Sequence, residues 1–570
     1  MKRYILLLSI ILAMVARTYA NDTLQREVTI VRNFTPVVRP ADKINTLPPI
    51  SAPQFHVAPV AYSFDAYSAE VAPALSTFDV PGVADNKDTF TRYNGYATFD
   101  MGMYMAMAAN AGYSILDTSH DKLGVAARFT SLNGDVPVNT HAAYVTQDVT
   151  RQTYYDVGAT VRYAHIFDNN LTLSAQASYR YIDFNYYGVM ANPSSYAIQP
   201  MQQVNSYQAE LRVDNNEARH YDYEKWHVVA GYGYYGNNNG LYTREGSCEH
   251  HAYIDASYAQ MLGERWYVGG DVAIDYLHYM GMLSSSTPLE EVLSGKVAPA
   301  TQSHNHFVLQ LLPHAQWSRE RMSLRLGAKV EISGGDGPVV YISPDVRYNW
   351  EFVKNYFLFA TINGGKRLNT WGNMSQGCFY FDPSQPIASE FTAVDAQLGL
   401  RMRIIPDLAM TLYGGYEIAD RALFQQIDGL TPALTWSALD ATCVKAGVHI
   451  EADITDYLTL SADAAYRQWQ HDGRMITYHR PRWEANASVM VRPIAQLDVK
   501  LDYNMQLERD YGIYGKLADI HNLQLFATYR IFDWLSVSLH GNNLLNRRHD
   551  YYYGMPAPGI QVMAGVALKF

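Results

Sequence analysis

The sequence is poor in cysteine and in charge, and beyond its first residues it has no long apolar run. It has three cysteines in 570 residues, Cys248, Cys378 and Cys443. So few, and an odd number, are not a disulfide framework. Charged residues make up 17% and the formal net charge is −11, which argues against a nucleic-acid partner. After residue 20 no run approaches the ~18 apolar residues of a membrane-spanning helix.

The first 20 residues read MKRYILLLSIILAMVARTYA. Lys2 and Arg3 precede a short apolar run, and small residues end the stretch at Ala20. This order predicts a cleaved secretory signal peptide over residues 1–20. The alternative is an uncleaved anchor, which needs a longer apolar run.

What the sequence has in abundance is tyrosine, with 45 residues, and alternation of apolar and polar residues. In the last stretch, apolar residues occupy every second position from Ile560 to Phe570. A period of two predicts a β-strand, and about 11 residues is the length of a tilted strand that crosses a bilayer. Similar segments recur from about Arg92 onward, with no helical pattern between them. A soluble sandwich would also alternate, so one segment alone does not decide between the two folds.

The connectors between these segments fall into two classes that alternate along the chain. The short ones are FDNN at 167, LGER at 262, SRER at 318, VKN at 353, IPD at 405, ITD at 454, PIAQ at 493 and FD at 532. The long ones cover roughly 132–151, 187–204, 281–303, 366–388, 421–435, 470–480 and 546–557. Short turns at one end, long loops at the other and aromatic residues beside the turns are typical of an outer-membrane barrel.

The sequence therefore predicts an all-β fold, a single transmembrane antiparallel β-barrel of about 22 strands over residues 92–570, with 20 as the alternative. The first three strands (95–131) and the pair around 205–236 are the least defined. A short proline-rich segment, residues 21–91, precedes the barrel and is expected in the periplasm.

The C-terminal stretch resembles the end of TonB-dependent receptor barrels. The matching residues are the run Asn543-Leu544-Leu545-Asn546-Arg547, the loop from Tyr553 to Gly559 and the terminal Phe570. The resemblance implies an outer-membrane location, and it implies that Phe570 belongs to the signal read by the barrel-assembly machinery.

These receptors carry a plug domain of well over a hundred residues, and residues 21–91 are too short for one. The chain therefore resembles a plugless relative, and residues 26–50 are similar to the N-termini of such barrels from the Bacteroidetes.

Within that segment, the run Glu27-Val28-Thr29-Ile30-Val31 resembles a TonB box. A TonB box is an extended peptide that adds as a strand to the TonB protein. Five-residue β-prone runs are common, so an ordinary short strand or a stretch packed in the barrel mouth remains the alternative.

Three groups of residues are candidate metal sites. Met101, Met103, Met105 and Met107 suit Cu(I) by ligand type, but a ladder on one strand spreads its ligands, which favours lipid contact. The run Ser247-Cys248-Glu249-His250-His251 contains zinc ligands, but neighbouring residues on a strand point to opposite faces. His304 and His306 are spaced to converge, without an evident partner. We therefore predict no metal, no cofactor and no catalytic residue, and we expect Cys443 to be an inert, inward-facing thiol.

The inward-facing charges allow two interpretations. They are Arg162, Arg180, Asp463, Arg467, Asp498, Lys500, Asp502 and Lys569. A lattice of cross-strand ion pairs is favoured over a substrate path.

The expected function is transport of a ligand or solute across the outer membrane. The alternative is a structural or assembly subunit that docks other envelope proteins. An enzyme is not expected, because no nucleophile, phosphate-loop or zinc-protease motif occurs. The expected partners are outer-membrane lipid, the assembly machinery and either TonB or other envelope proteins.

Overall fold

The computed structural model describes residues 93–570 apart from several short stretches. Those stretches are 139–147, 170, 189–200, 216–223, 242–244, 264, 285–299, 386, 428–432, 472–473, 476–478 and 511–514. The predicted signal peptide, the proline-rich segment and the TonB-box-like residues 27–31 therefore lie outside the described residues. Among the described helices, none combines the length and apolar character that a membrane span requires.

The described chain contains 25 strands and one α-helix. The first twelve strands are β1 Gly95–Gly102, β2 Met107–Asp117, β3 Asp121–Pro137, β4 Val149–Ile166, β5 Leu171–Asn185, β6 Met201–Asn215, β7 Glu224–Asn237, β8 Cys248–Leu262, β9 Trp266–Leu283, β10 Thr301–Arg319, β11 Met322–Gly334 and β12 Val340–Val353. The rest are β13 Tyr356–Arg367, α1 Trp371–Gly377, β14 Glu390–Ile405, β15 Leu408–Ile427, β16 Leu434–Thr455, β17 Leu458–His471, β18 Arg474–Met475, β19 Trp483–Ile494, β20 Leu497–Leu507, β21 Ile520–Phe532, β22 Leu535–Asn542, β23 Asp550–Tyr552, β24 Met555–Pro556 and β25 Gln561–Lys569.

Twenty-two of these strands form one closed antiparallel barrel. Each pairs with the next along the chain, except that β17 pairs with β19 and β22 with β25 across short extra strands. The barrel closes where β1 pairs with β25. The backbone N–H of Gly95 donates to the carbonyl of Phe570 at 2.8 Å, and the N–H of Phe570 donates back at 2.9 Å. The predicted fold and strand number are confirmed.

The two ends of the barrel differ as the connectors predicted. All eight predicted short connectors are turns at the end where Gly95 and Phe570 meet, which we call the turn end. The strands that flank the seven predicted long connectors end at the other end of the barrel, the loop end. Exposed aromatic residues surround the turn end: Phe167, Trp266, Trp350, Phe352, Tyr457, Phe532, Trp534 and Phe570. Aromatic rings at this level are typical of a membrane–water boundary.

The side chains of β25 show how the wall separates two environments. Val562, Val566 and Leu568 are exposed on the outer face. Gln561 and Met563 point inward and are buried. Since apolar residues gain nothing from facing water, an exposed apolar outer face suits lipid.

Ion pairs between neighbouring strands line much of the inner wall. Arg180 binds Asp156 through two hydrogen bonds of 2.9 and 2.8 Å. Lys445 lies 2.6 Å from Asp395 and 3.2 Å from Glu417. Further pairs between neighbouring strands are Arg325–Asp345, Arg467–Glu484 and Arg492–Asp498, and Lys500–Asp502 is a pair within β20. These contacts agree with the predicted ion-pair lattice.

The predicted methionine ladder is wrong as a single strand. β1 ends at Gly102, and Met103–Met105 form a 3-10 turn that leads back into β2. Tyr104 and Met105 have positive φ angles of 58° and 46°, which reverse the chain. Met101 and Met107 consequently face each other across the hairpin. The methionines keep a spacing of two residues across the turn, so the sequence pattern gave no sign that the strand ends there.

Candidate functional site

Residues 368–389, the crossing loop, run from β13 to β14 through the interior of the loop end. Residue 386 within it lies outside the described part of the chain. The loop contains α1, whose N-cap residue Thr370 accepts a 3.0 Å hydrogen bond from the backbone N–H of Asn373. From its roots on β13 and β14 it reaches β4, which lies nine strands away from β13. In a barrel of 22 strands, opposite walls are eleven strands apart, so the crossing loop spans the lumen.

Hydrogen bonds attach the crossing loop to the far wall. The side-chain amide of Gln152 donates to the hydroxyl of Tyr380 at 3.2 Å. The guanidinium of Arg180 donates to the carbonyl of Ser375 at 3.3 Å. The hydroxyl of Tyr186 donates to the carbonyl of Phe381 at 2.7 Å. The wall residue Arg180 therefore holds both Asp156 and the helix of the loop.

The first turn of α1 rests on a carboxylate from β8. Glu249 accepts a 2.7 Å hydrogen bond from the backbone N–H of Trp371 and a 3.4 Å one from that of Gly372. A carboxylate at this place satisfies N–H groups that have no partner within the helix. Ser247 adds a 2.7 Å hydrogen bond to the carbonyl of Pro383. The segment weighed as a zinc site thus contains two residues that hold the crossing loop.

Aromatic side chains fill the space between the crossing loop and the wall. Trp371, Tyr380 and Phe381 are almost completely buried, with 0–2% of their surface exposed. The ring centroids of Trp371 and Tyr279 are 5.1 Å apart, and those of Tyr380 and Phe184 are 5.3 Å apart. Such a packed cluster has little room for water, so it closes the part of the mouth that it occupies.

A second loop, residues 543–560, packs against this cluster. Tyr552 and Met555 belong to the same buried cluster as Trp371. The carbonyl of Gly554 approaches Gly188, whose φ of 99° and missing side chain allow the contact. Arg509 is 1% exposed and donates to the carbonyl of Asp550 at 2.8 Å. We call the crossing loop and residues 543–560 together the aromatic cap.

Burial keeps one thiol in the cap and one imidazole beside it neutral at pH 7. Burial raises the pKa of the Cys378 thiol to about 12. Burial also lowers the pKa of His479, which lies between β17 and β19, to about 3, and the guanidinium of Arg509 adds to this effect. The backbone N–H of Tyr553 donates to Nε2 of His479 at 3.2 Å, so this nitrogen carries no proton. Arg509 is charged at pH 7, because burial lowers its pKa only to about 10, and its hydrogen bond to the carbonyl of Asp550 offsets part of the cost of burying that charge.

Among the candidate metal ligands, the structure brings Cys248 and His250 together, with 3.7 Å between Sγ and Nε2, but it adds no further ligand to this pair within the described residues. His250 points outward and contacts the hydroxyl of Tyr232, whereas His251 points inward and contacts Asp275. His306 is buried on the inner wall, and Cys443 is buried in a separate cluster with Phe424 and Trp469. Within the described residues, no group of three or more His, Cys, Asp or Glu side chains could hold a metal ion.

The aromatic cap was not among the features predicted from the sequence, in which residues 366–388 count only as a long connector. A signal was present, because the segment Trp371-Gly-Asn-Met-Ser-Gln-Gly-Cys-Phe-Tyr-Phe381 carries four aromatic residues. A loop exposed to water has no reason to carry so many.

Comparison of the fold with solved structures identifies its class. The FrpB iron transporter from Neisseria meningitidis superposes with a TM-score of 0.63 at 10% identity, over 85% of this chain and 82% of that one. The siderophore receptor PirA from Acinetobacter baumannii gives 0.62 at 11% identity, over 85% and 81%. The copper transporter OprC gives 0.61 at 11% identity, over 84% and 80%.

The chain has the fold of a TonB-dependent receptor barrel. At 10–12% identity the likeness establishes this fold and nothing finer. No protein-family model matches the sequence, and no curated protein matches it. The three structural neighbours named here are two metal transporters and a siderophore receptor.

Proposed function

We propose that the protein transports a ligand or solute across the outer membrane, through a lumen that the aromatic cap gates. The observation that carries the proposal is the crossing loop, to which Gln152 and Arg180 of the wall donate hydrogen bonds and from which Glu249 of the wall accepts one. A 22-stranded barrel is wide enough to need an internal closure. The shared fold with the transporters named above also supports a role in transport.

The proposal includes the features predicted for the N-terminal part. Residues 1–20 act as a cleaved signal peptide, and residues 21–91 lie in the periplasm of a plugless, Bacteroidetes-type relative of the receptors. Glu27–Val31 binds TonB if opening of the cap requires energy from the inner membrane. The assembly machinery reads the strand that ends at Phe570, and lipid surrounds the outer face.

Sensitivity of cells to a large antibiotic tests the gate. We expect Gram-negative cells that express the intact protein to resist vancomycin. Replacement of residues 372–385 by a short Gly-Ser linker removes most of α1 together with Phe379, Tyr380 and Phe381, and should make the cells sensitive. The control is an equal shortening of residues 286–299, which removes none of the cap contacts described above. Equal resistance in all three strains, with equal amounts of folded barrel, would contradict the gate.

The second candidate function is a structural subunit that docks envelope proteins. The extent of the aromatic cap favours it, because a permanently closed mouth suits an anchor better than a transporter. Affinity purification from the native membrane distinguishes the two. Stoichiometric co-purification with other envelope proteins, together with a barrel that never conducts, would replace the transport proposal by this one.

A further inference from the structure

A cavity of about 420 Å³ lies between the inner wall of β17–β22 and the loop 543–560. This volume falls in the ~300–1,000 Å³ range of small-molecule sites. Its wall is polar, and His549 and Tyr551 of the loop line its other side. No residue of the crossing loop lines the cavity, so the cavity is separate from the contacts between the crossing loop and the wall.

A row of carboxamide side chains crosses this wall at nearly one level. Asn486 of β19, Asn504 of β20 and Asn522 of β21 are partners in register on three adjacent strands. Asn542 of β22 and Gln561 of β25 continue the row. We call these five residues the amide row.

Hydrogen bonds connect the members of the amide row. Asn504 donates to Asn486 at 2.5 Å, and Asn522 donates to Asn542 at 2.9 Å. Asn542 in turn donates to Gln561 at 3.0 Å. A carboxamide has two N–H donors and an oxygen that accepts twice. Asn504 and Asn522 use one N–H each along the row, which leaves the other for a ligand in the cavity.

Each acidic side chain that lines the cavity contacts a partner on the wall. Lys500 lies 2.8 Å from Asp502. Asp463 lies 2.5 Å from Nδ1 of His449. A wall with paired charges and many amides favours neither an anion nor a cation. It suits a ligand whose groups both donate and accept hydrogen bonds, and hydroxyl groups do this.

We propose that the amide row and the loop 543–560 bind a neutral polyhydroxylated ligand, a short oligosaccharide. The row presents donors and acceptors along the wall at the strand spacing of ~4.8 Å, which allows several hydroxyl groups to bind at once. Tyr551 offers an aromatic ring on the opposite side of the cavity. The inference names the ligand class for the proposed transport function, but binding at this site does not depend on transport.

The alternative is a purely structural amide row that stabilises the wall. In that case the carboxamides would satisfy one another and bind no sugar. The two interpretations differ in what happens when one amide is replaced by an apolar group of similar size. A structural row loses stability only, whereas a binding row also loses affinity.

Isothermal titration calorimetry of the purified full-length protein in detergent tests the inference. The probes are maltotriose, cellotriose and chitotriose, each up to its solubility limit. We expect at least one to bind, and we expect Asn504→Leu and Asn522→Leu to weaken it about tenfold or more, since each removes a hydrogen-bonding group. Asn349→Leu, on β12 and outside the cavity, should bind like the unaltered protein.

Two results would overturn the inference. One is the absence of heat with all three probes, and the other is unchanged affinity in both amide variants. If Asn504→Leu fails to fold on heat-modifiability gels, Asn504→Ser keeps a polar group and replaces it. Because binding is measured in detergent, a protein that binds sugar but never conducts would retain this site and refute the transport proposal alone.

Discussion

At the scale of single residues, the closing seam of the barrel depends on one glycine. Gly565 of β25 lies between Asp100 of β1 and Ser538 of β22. The hydroxyl of Ser538 donates to Asp100 at 2.8 Å across it, so the three strands are tied together. His540 lies 3.9 Å from Asp100, but the hydroxyl of Ser538 is engaged by the carboxylate. In a catalytic Ser-His-Asp relay the serine hydroxyl donates to the histidine. Here it donates to the carboxylate instead, so the three side chains form a contact of the seam.

We expect Gly565→Ala to weaken the barrel at this seam. The added methyl group would overlap the carboxylate of Asp100 and the hydroxyl of Ser538. Overpacking of this kind costs ~1–3 kcal/mol. The measurement is the temperature at which the folded band disappears on a heat-modifiability gel. Gly334→Ala is the matched control, because a methyl group there meets nothing within 4 Å. Equal stability of the two variants would show that the seam does not depend on Gly565.

Glu249 supplies a second prediction at this scale. Glu249→Gln replaces one carboxylate oxygen by an NH₂ group, which cannot accept from the backbone N–H groups of Trp371 and Gly372. Loss of one of these two buried hydrogen bonds costs ~1–2 kcal/mol and should loosen the crossing loop. We expect faster proteolytic cleavage within residues 371–387, measured by mass spectrometry. Glu320→Gln, in an exposed turn, should leave the rate unchanged.

At the scale of elements, the strands were predictable and the aromatic cap was not. Alternation with a period of two is a local property, and it showed which face of β25 is apolar before the structure did. The contact between Gln152 and Tyr380 joins residues 228 positions apart. No local pattern specifies such a partner, because the strand order that brings the two together comes from closure of the whole barrel.

The cap also has a predictable response to pH. The pKa of His479 is lowered from 6.5 to about 3, and that of His549 to about 4, in both cases mainly by burial. As the pH falls below about 6.5, an opened cap takes up protons that the closed cap does not, so the closed state loses stability. Proteolysis within the cap should therefore accelerate between pH 6.5 and 4. In His479→Gln, which retains a hydrogen-bond acceptor, this acceleration should be smaller. An unchanged pH profile would mean that His479 does not contribute.

At the scale of the whole molecule, the barrel combines a receptor-sized wall with a closure made from its own loops. The wall has an apolar outer face, inward ion pairs and a 22-strand circumference. The closure comes from the crossing loop and residues 543–560, which meet in one buried aromatic cluster. Because these two loops form the closure, we expect that changes in them alter the permeability of the barrel while the wall stays folded.

Single-channel conductance in planar bilayers tests this claim most directly. The samples are the mature protein, the variant with residues 372–385 replaced by a linker, and a variant that lacks residues 21–90. We expect a closed mature protein, large and steady conductance after the loop replacement, and no comparable opening after the N-terminal deletion alone. Conductance in the intact protein equal to that of the loop variant, or opening only after loss of residues 21–90, would contradict a gate formed by the aromatic cap.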